Sequence, residues 1–422
     1  MDPAGTPVEI AGMLKRADPA LLLVDRDLGG RAAEAVAAVA LDTSIVPVQQ
    51  IGTDRVAESA VDRARVEDVV VMLPTSGTTG VSKLVMQSHR TLVLAAEAFP
   101  WWLGLTPADR LMTSLPLFHI NALAYSALGA LSLGAPLVLP PAFSARDFLD
   151  RARAHEVTQF NAVGAMLEIL MRRPPSPADR VPSLRLCYVT PAPVTRERHL
   201  QIEARFGFRI SAGYGSSETP FGTIWPISGP KTYGTMGRLK QHPHQGEINF
   251  ARVVDEEDRD LLPGATGELL LKNPALMTGY FRMPEETAAV LKDGWLRTGD
   301  LVRVDERGVF RFFGRRKDLI RRRGENIAPI EIEEALMLHP SVKQAAVVGV
   351  PAELGDEDVK AFVVVIGDLD ASALVAWLAD KLASHKIPRY FEFADELPTT
   401  STGRPMKHLL SRDPSGAQPK RR

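Results

Sequence analysis

Apolar and polar positions follow two different rhythms along the chain. From about residue 20 to 215, short apolar runs alternate with longer amphipathic stretches. Leu21–Val24, Val69–Leu73, Val157–Phe160 and Leu184–Val189 read as buried strands, and Gly30–Val39 as an Ala-rich helix. Ser144 is placed to cap a helix over Asp147–His155. Such alternation predicts an α/β fold with a mostly parallel sheet, whose ligands gather beyond the strand carboxyl ends. From about 245 to 315 the pattern turns β-rich, with strands expected at Glu247–Val254, Gly267–Leu271 and Val309–Phe313. After Arg315-Arg316-Lys317-Asp318 it resets. A helix over Pro329–Leu338, strands over Gln344–Val350 and Lys360–Ile366, and a helix over Ser372–Ala383 make a small α+β unit. The expected division is a large multi-sheet domain over 1–316, a small domain over 317–410, and a polar tail, 411–422, without fixed structure. No internal repeat is visible.

One stretch, Ile120–Ala145, carries no charge at all. Gly129, Gly134, Pro136, Pro140 and Pro141 break it too often for a membrane span, so a buried helix and a short strand, Pro136–Leu139, are expected instead. The chain has 422 residues, 45% of them hydrophobic, enough for more than one core. Its net charge of −1, with acids and bases interspersed, argues against nucleic-acid binding. A single cysteine, Cys187, rules out a disulfide framework within the chain and suits a reducing, cytoplasmic setting. The acidic, Gly/Pro-rich start does not read as a signal peptide.

Candidate chemistry begins at Thr75-Ser76-Gly77-Thr78-Thr79-Gly80-Val81-Ser82-Lys83, directly after an apolar run. Gly77 and Gly80 let backbone amides approach an anion, and the hydroxyls and the Lys83 ammonium add donors. The spacing is not that of a Walker A loop. By composition alone, the segment is either a polyphosphate cradle or a plain surface turn. It resembles the phosphate signature T-S-G-[ST]-T-G-x-P-K of the adenylate-forming superfamily, which includes acyl-CoA synthetases. Ser82 stands where Pro is usual, and Leu84 where Gly often follows.

Four further segments extend the resemblance, in family order, over about residues 7–410. Tyr214-Gly215-Ser216-Ser217-Glu218 is similar to Y-G-x-T-E. The resemblance implies that Tyr214 stacks on adenine beside Gly215, Ser217 meets the α-phosphate and Glu218 binds Mg2+. Thr298-Gly299-Asp300 lies 17 residues before Lys317. Here the resemblance makes Asp300 the acceptor of both ribose hydroxyls. Gly314-Arg315-Arg316-Lys317-Asp318, continuing to Gly324-Glu325-Asn326-Ile327, implies that Arg315 reaches the ribose or phosphate and Lys317 is the hinge. Gly324, Glu325 and Asn326 would line the path of coenzyme A. Arg321, Arg322 and Arg323 either meet its phosphates or form a charged face. Pro116-Leu117-Phe118-His119 implies that His119 gates the acyl pocket. By analogy, Asn161, Gly164, Ala165 and Gly213 line that pocket. The stretch Val157–Ile224, with Met171-Arg172-Arg173-Pro174-Pro175-Ser176, looks most like crotonobetaine/carnitine-type CoA ligases.

Three departures qualify the resemblance. The phosphate loop comes early, as if part of the usual N-terminal section were missing, which bears on packing and on homo-oligomer formation. Thr190-Pro191-Ala192-Pro193 replaces G-G-A-P, and Pro191 removes a backbone donor. In Leu397-Pro398-Thr399-Thr400-Ser401-Thr402-Gly403-Arg404, Arg404 stands where the catalytic Lys of adenylation is usual. A planar guanidinium does not sit between two oxygens as a compact ammonium does. The expectation is therefore an AMP-forming acyl-CoA ligase using ATP or an acyl-adenylate, Mg2+, CoA and a small carboxylic acid. Its adenylation step would be impaired, so that a separate adenylating enzyme supplies the intermediate. A complete two-step ligase, in which Lys407 substitutes or Arg404 suffices, stays open. So do a carrier-protein-loading adenylation protein and a non-catalytic nucleotide-binding protein.

Overall fold

Leu186–Val189 is buried at all four positions because its side chains serve two cores at once. Cys187 and Val189 join Phe148, Phe160, Leu167 and Phe206 on one face of a sheet, while Leu186 and Tyr188 join Phe99, Trp102, Tyr125 and Phe221 on the other. The sheet has seven strands, in the order Arg238–Leu239, Thr223–Ile224, Arg209–Tyr214, Leu186–Val189, Gln159–Ala162, Leu111–Thr113 and Leu137–Val138. The last five run parallel and the first two close the edge antiparallel. Helices Phe148–Ala154, Gly164–Arg172 and Arg196–Phe206 connect the parallel strands. This places residues 163–164, 190 and 214–215 at one carboxyl edge. The computed structural model describes residues 5–51, 63–75, 83–190, 196–225, 231–322, 325–352, 356–399 and 405–416.

The fold is α/β, with a large N-terminal and a small C-terminal domain. The β-rich stretch makes a second sheet, in which Trp295–Val304 pairs with Thr266–Lys272, Leu291–Lys292 and Phe310–Arg315. Val69–Pro74, Leu84–Ser88 and Gly279–Tyr280 form a third. In the small domain, helices Pro329–Met337 and Ala371–Ala379 cover one face of Val342–Pro351, Glu357–Val365 and Tyr390–Phe393.

Several expectations shift, each for a local reason. Val69–Pro74 is a strand but not a buried one: it lies at the edge of a three-stranded sheet and buries only Leu73. Ser144 does not cap the helix, which starts at Phe148; its carbonyl accepts from Asp147 N (3.1 Å) and Phe148 N (2.9 Å) one turn earlier. The strand expected at Val157 begins at Gln159, because Glu156 turns with φ 50° and Val157 N closes back on Ala152 O at 2.9 Å. A further strand, Arg209–Tyr214, ends on the tyrosine of the second motif. The last helix stops at Ala379, capped at its start by Asp370. Helix Pro7–Ala17, unforeseen, is announced by a Thr6/Glu9 capping box, and His89–Leu103 by Ser88. The uncharged stretch becomes a π-helical turn Asn121–Ala127, a helix Leu128–Leu133 and a strand Leu137–Val138. Among the described residues no helix is long and apolar enough to cross a membrane. Ser411–Gly416, expected to lack fixed structure, is exposed but tied down: Lys360 Nζ donates to Asp413 O at 3.1 Å and Arg412 to Gly349 O at 2.9 Å.

The two domains meet where Arg172 donates to Lys343 O at 2.7 Å and where helix Pro329–Met337 packs on Phe310–Arg315. Gly314 takes φ 137° in that strand, a backbone conformation that side chains rarely adopt, and faces Ala328 and Ile330. Glu334 faces this junction. Burial raises its carboxyl from 4.5 to about 7, with Glu333 and Glu331 adding and Arg311 opposing. A raised folded-state value means that the contribution to stability is complete below pH 4.5 and is lost as pH rises through about 7. Glu334→Gln is expected to flatten this loss, leaving the variant more stable than wild type above that range, by on the order of 3 kcal/mol. Denaturant midpoints measured across pH check it.

Candidate functional site

The carboxyl edge of the parallel sheet faces the second sheet, and one carboxylate joins them. Asp300, 5% exposed, accepts a hydrogen bond from Tyr214 Oη at 2.6 Å and lies 3.4 Å from Arg315 Nε. Each is delivered by a strand: Tyr214 ends its parallel strand, and Asp300 and Arg315 are directly paired in register. Thr298-Gly299-Asp300 is therefore not a free turn but a kink inside the strand Trp295–Val304. Gly299 takes φ 70°, Thr298 Oγ1 donates to Leu269 O at 2.7 Å, and the pairing shifts register at Glu268/Leu270. Burial, then Asp300, pushes the Tyr214 phenol well up, so it stays protonated and donating. The Tyr214 ring belongs to a buried cluster with Met236, Leu269 and Phe310. Beyond Arg315, burial lowers the Lys317 ammonium from its usual value, with Arg315 adding to the effect.

The loop after Tyr214 is held from several sides. Ser216 N donates to Thr219 O at 2.9 Å, and Ser216 Oγ accepts from Glu218 N and Thr219 N. Ser217 O accepts from Gln87, and Glu218 O from Met277 N. The Glu218 carboxylate accepts from Tyr280 Oη at 3.1 Å, and the Lys83 ammonium lies 4.4 Å from the centre of the Tyr280 ring. Thr75 N bonds Lys83 O at 2.9 Å and closes the base of the segment between them. Ser76, Gly77, Thr78, Thr79 and Gly80 lie outside the described residues, as do Pro191, Ala192, Pro193, Arg323, Gly324 and Arg404. Tyr280 escaped sequence reading. Its only signal is a Gly-Tyr pair, and its role depends on pairing with Leu84–Ser88, far away in sequence.

The remaining candidates divide. His119 starts the turn that runs into Asn121–Ala127, with Leu123 N bonded to its carbonyl at 3.1 Å. Asn121 donates to Thr190 Oγ1 at 2.7 Å, Asn161 to Asn121 at 2.7 Å, and Gln159 to Asn161 at 2.6 Å. Asn161 is thus fully buried within an amide chain. At Gly213 a Cβ would meet Tyr188 Oη at 2.6 Å and Thr223 O at 2.7 Å, so only glycine fits there. Gly164 has open space where a Cβ would stand, and Ala165 is half-buried beside it. Glu325 and Asn326 are exposed on a short strand paired with Ile320–Arg322. Asn326 also lines a cleft of about 530 Å³ with Glu268, Arg316 and Lys386. The Arg322 guanidinium bonds Asp358 (3.1 Å) and the carbonyls of His385 (2.7 Å) and Ile387 (3.0 Å). Lys407 pairs with Glu333 at 2.6 Å.

The donor set suits a magnesium nucleotide. Tyr214 and Asp300 offer a ring and a diol acceptor, and Lys83 an ammonium. Glu218 offers one hard carboxylate, and Mg2+ is commonly held by one or two carboxylates plus substrate phosphates. Among the described residues no three His, Cys, Asp or Glu side chains gather as a metal cluster.

Comparisons point the same way. The AMP-binding enzyme family matches residues 1–281 and its C-terminal domain family residues 331–404. A sulfoacetate–CoA ligase of Cupriavidus necator is 36% identical over 339 residues, covering 79% of this chain but only 65% of that protein. A crotonobetaine/carnitine–CoA ligase of Salmonella heidelberg is 32% identical over 355 residues, 82% of this chain and 66% of that protein. Thus the chain spans about two thirds of the length of these curated relatives. The crystal structure of ATP-bound MatB from Rhodopseudomonas palustris superposes with a TM-score of 0.86 at 30% identity, covering 96% of this chain and 81% of that one.

Since Arg322 anchors the fold, Arg322→Ala is expected to cost about 3 kcal/mol by leaving Asp358 buried with Arg389 alone. Chemical denaturation reads this directly.

Proposed function

The chain belongs to the AMP-binding enzyme family, and from that premise we propose that it is an acid–thiol ligase forming an acyl-CoA thioester by way of an acyl-adenylate. The observation that carries this reading is the convergence of two groups on one sheet edge: Tyr214–Asp300–Arg315 and Lys83–Tyr280–Glu218. The first suits a ribose and its neighbouring phosphate. The second suits a polyphosphate and its cation.

In the first half-reaction a carboxylate oxygen of the acid attacks the α-phosphorus of ATP, and pyrophosphate leaves. Ser217 meets the α-phosphate, Asp300 holds the ribose, and Lys83 with the Thr75–Gly80 segment holds the departing phosphates. Mg2+, when bound, neutralises phosphate charge, and Glu218 is the residue to hold it. In the second half-reaction the thiolate of coenzyme A attacks the acyl carbonyl and AMP leaves. The small domain turns about Lys317, His119 gates the acyl side, and Gly324, Glu325 and Asn326 border the thiol's path. The relatives' names point to small polar acids. By the family resemblance, Asn161, Gly164, Ala165 and Gly213 are placed on the acyl side.

Arg404 refines the proposal. Adenylation places one cation between the acid's carboxylate and the α-phosphate, and the guanidinium of Arg404 fits that gap poorly. Loss of one preorganised donor costs roughly 10²–10³ in rate. The Lys407–Glu333 pair supports the view that Lys407 does not take over. The thioester step then dominates, and a separate adenylating enzyme supplies the acyl-adenylate.

Two reactions test this together: pyrophosphate release from ATP, Mg2+ and a panel of acids, and thioester formation from synthetic acyl-adenylates with CoA. Slow release with efficient thioester formation is expected, and Arg404→Lys should raise release by roughly 10²-fold or more. Rapid release by wild type would leave a complete two-step ligase. No thioester from any adenylate, but transfer to a holo-carrier protein, would replace the acceptor.

A further inference from the structure

Lys240 is wholly buried, yet its Nζ has only neutral polar partners among its hydrogen bonds: Tyr125 Oη at 2.8 Å and the Pro220 carbonyl at 3.0 Å. Tyr125 Oη itself donates to the same carbonyl. The ammonium end lies 4.6 Å from the ring centre of Tyr125, 4.8 Å from Trp102 and 5.7 Å from Tyr188. Burial alone holds its pKa well below the usual lysine value. Aromatic faces offset part of the cost of burying an amine, but a methionine of similar length would cost the fold nothing in desolvation.

What Lys240 holds explains its place. Pro220 ends the loop that carries Ser217 and Glu218, and Gly215 begins it. A Cβ on Gly215 would lie 3.1 Å from Tyr125 Oη and 3.3 Å from Pro220 O, so the two atoms that Lys240 holds lie against both ends of the loop. Lys240 comes from the antiparallel edge of the main sheet, where its own N–H bonds Gly222 O at 2.9 Å. Beneath the loop, then, a donor reaches up from one side of the sheet to a carbonyl, while Gln87 holds Ser217 O from another.

We propose that Lys240 is a positioning residue for the metal–nucleotide: by holding Pro220 O and Tyr125 Oη, it fixes the Gly215–Pro220 loop and so sets Ser217 and Glu218 against the phosphates. This rests on the nucleotide reading given above. It differs from a purely structural role in one respect. Removing the amine relieves a buried polar group, so stability and nucleotide binding should move apart.

The test is Lys240→Met in the full chain, with Mg·ATP and metal-free AMP titrated by calorimetry and Tm measured on the same samples. The expected result is a fall of about tenfold in Mg·ATP affinity, a smaller loss for AMP, and a Tm equal to or above wild type. Unchanged Mg·ATP affinity overturns the proposal, as does a parallel fall of Tm and of both affinities. If Lys240→Met does not fold, Tyr125→Phe decides: selective loss of Mg·ATP affinity supports the clamp, and unchanged affinity overturns it. Wild type that binds neither nucleotide contradicts the nucleotide reading instead.

Discussion

A carboxylate buried between two sheets needs donors from both. Asp300 finds them in Tyr214, from the parallel sheet, and Arg315, from the strand beside its own. Without these partners Asp300 would be an uncompensated charge in a nearly closed site. With them, it becomes a fixed anionic acceptor at the one edge where the parallel strands end. The kink at Gly299, the register shift in Trp295–Val304 and the end of the Arg209–Tyr214 strand all serve this meeting point. The hinge proposed at Lys317 follows two residues after Arg315, so movement of the small domain acts beside the same carboxylate.

Much of the fold was legible because parallel strands buried on both faces leave continuous apolar runs, as Leu186–Val189 does. Val69–Pro74 has the same appearance but lies at a sheet edge, and nothing in an apolar run distinguishes a covered face from an uncovered one. Boundaries slipped where one backbone conformation decided them, as at Glu156. The motif residues were legible because Asp300, Tyr214, Glu218 and Lys83 stand in short segments with recognisable spacing. Tyr280 and Lys240 were not, since their partners Glu218 and Tyr125 lie far from them in sequence. The internal bonds and packing of Asn161, Gly213 and Arg322 were equally invisible, since they too join distant parts of the chain.

The two proposed half-reactions make unequal demands on this chain. The proposed ribose, metal and loop contacts all come from the large domain and would serve both steps. The bridging cation of adenylation comes from the small domain, and there the chain carries Arg404. In the proposed reading, such a protein keeps the machinery to hold an adenylate while losing speed in making one. The segment Thr75–Lys83, which first suggested phosphate binding, would then be most important to the slower step.

The central claim is that Asp300 holds the ribose of a nucleotide. It is tested by a cycle of AMP and 2′,3′-dideoxy-AMP against wild type and Asp300→Asn, with affinities from calorimetry. The account expects wild type to lose at least about tenfold on removal of the hydroxyls, and Asp300→Asn to lose much less, giving a clear coupling between residue and diol. Equal losses in both proteins, or AMP binding by Asp300→Asn as tight as by wild type, would contradict it.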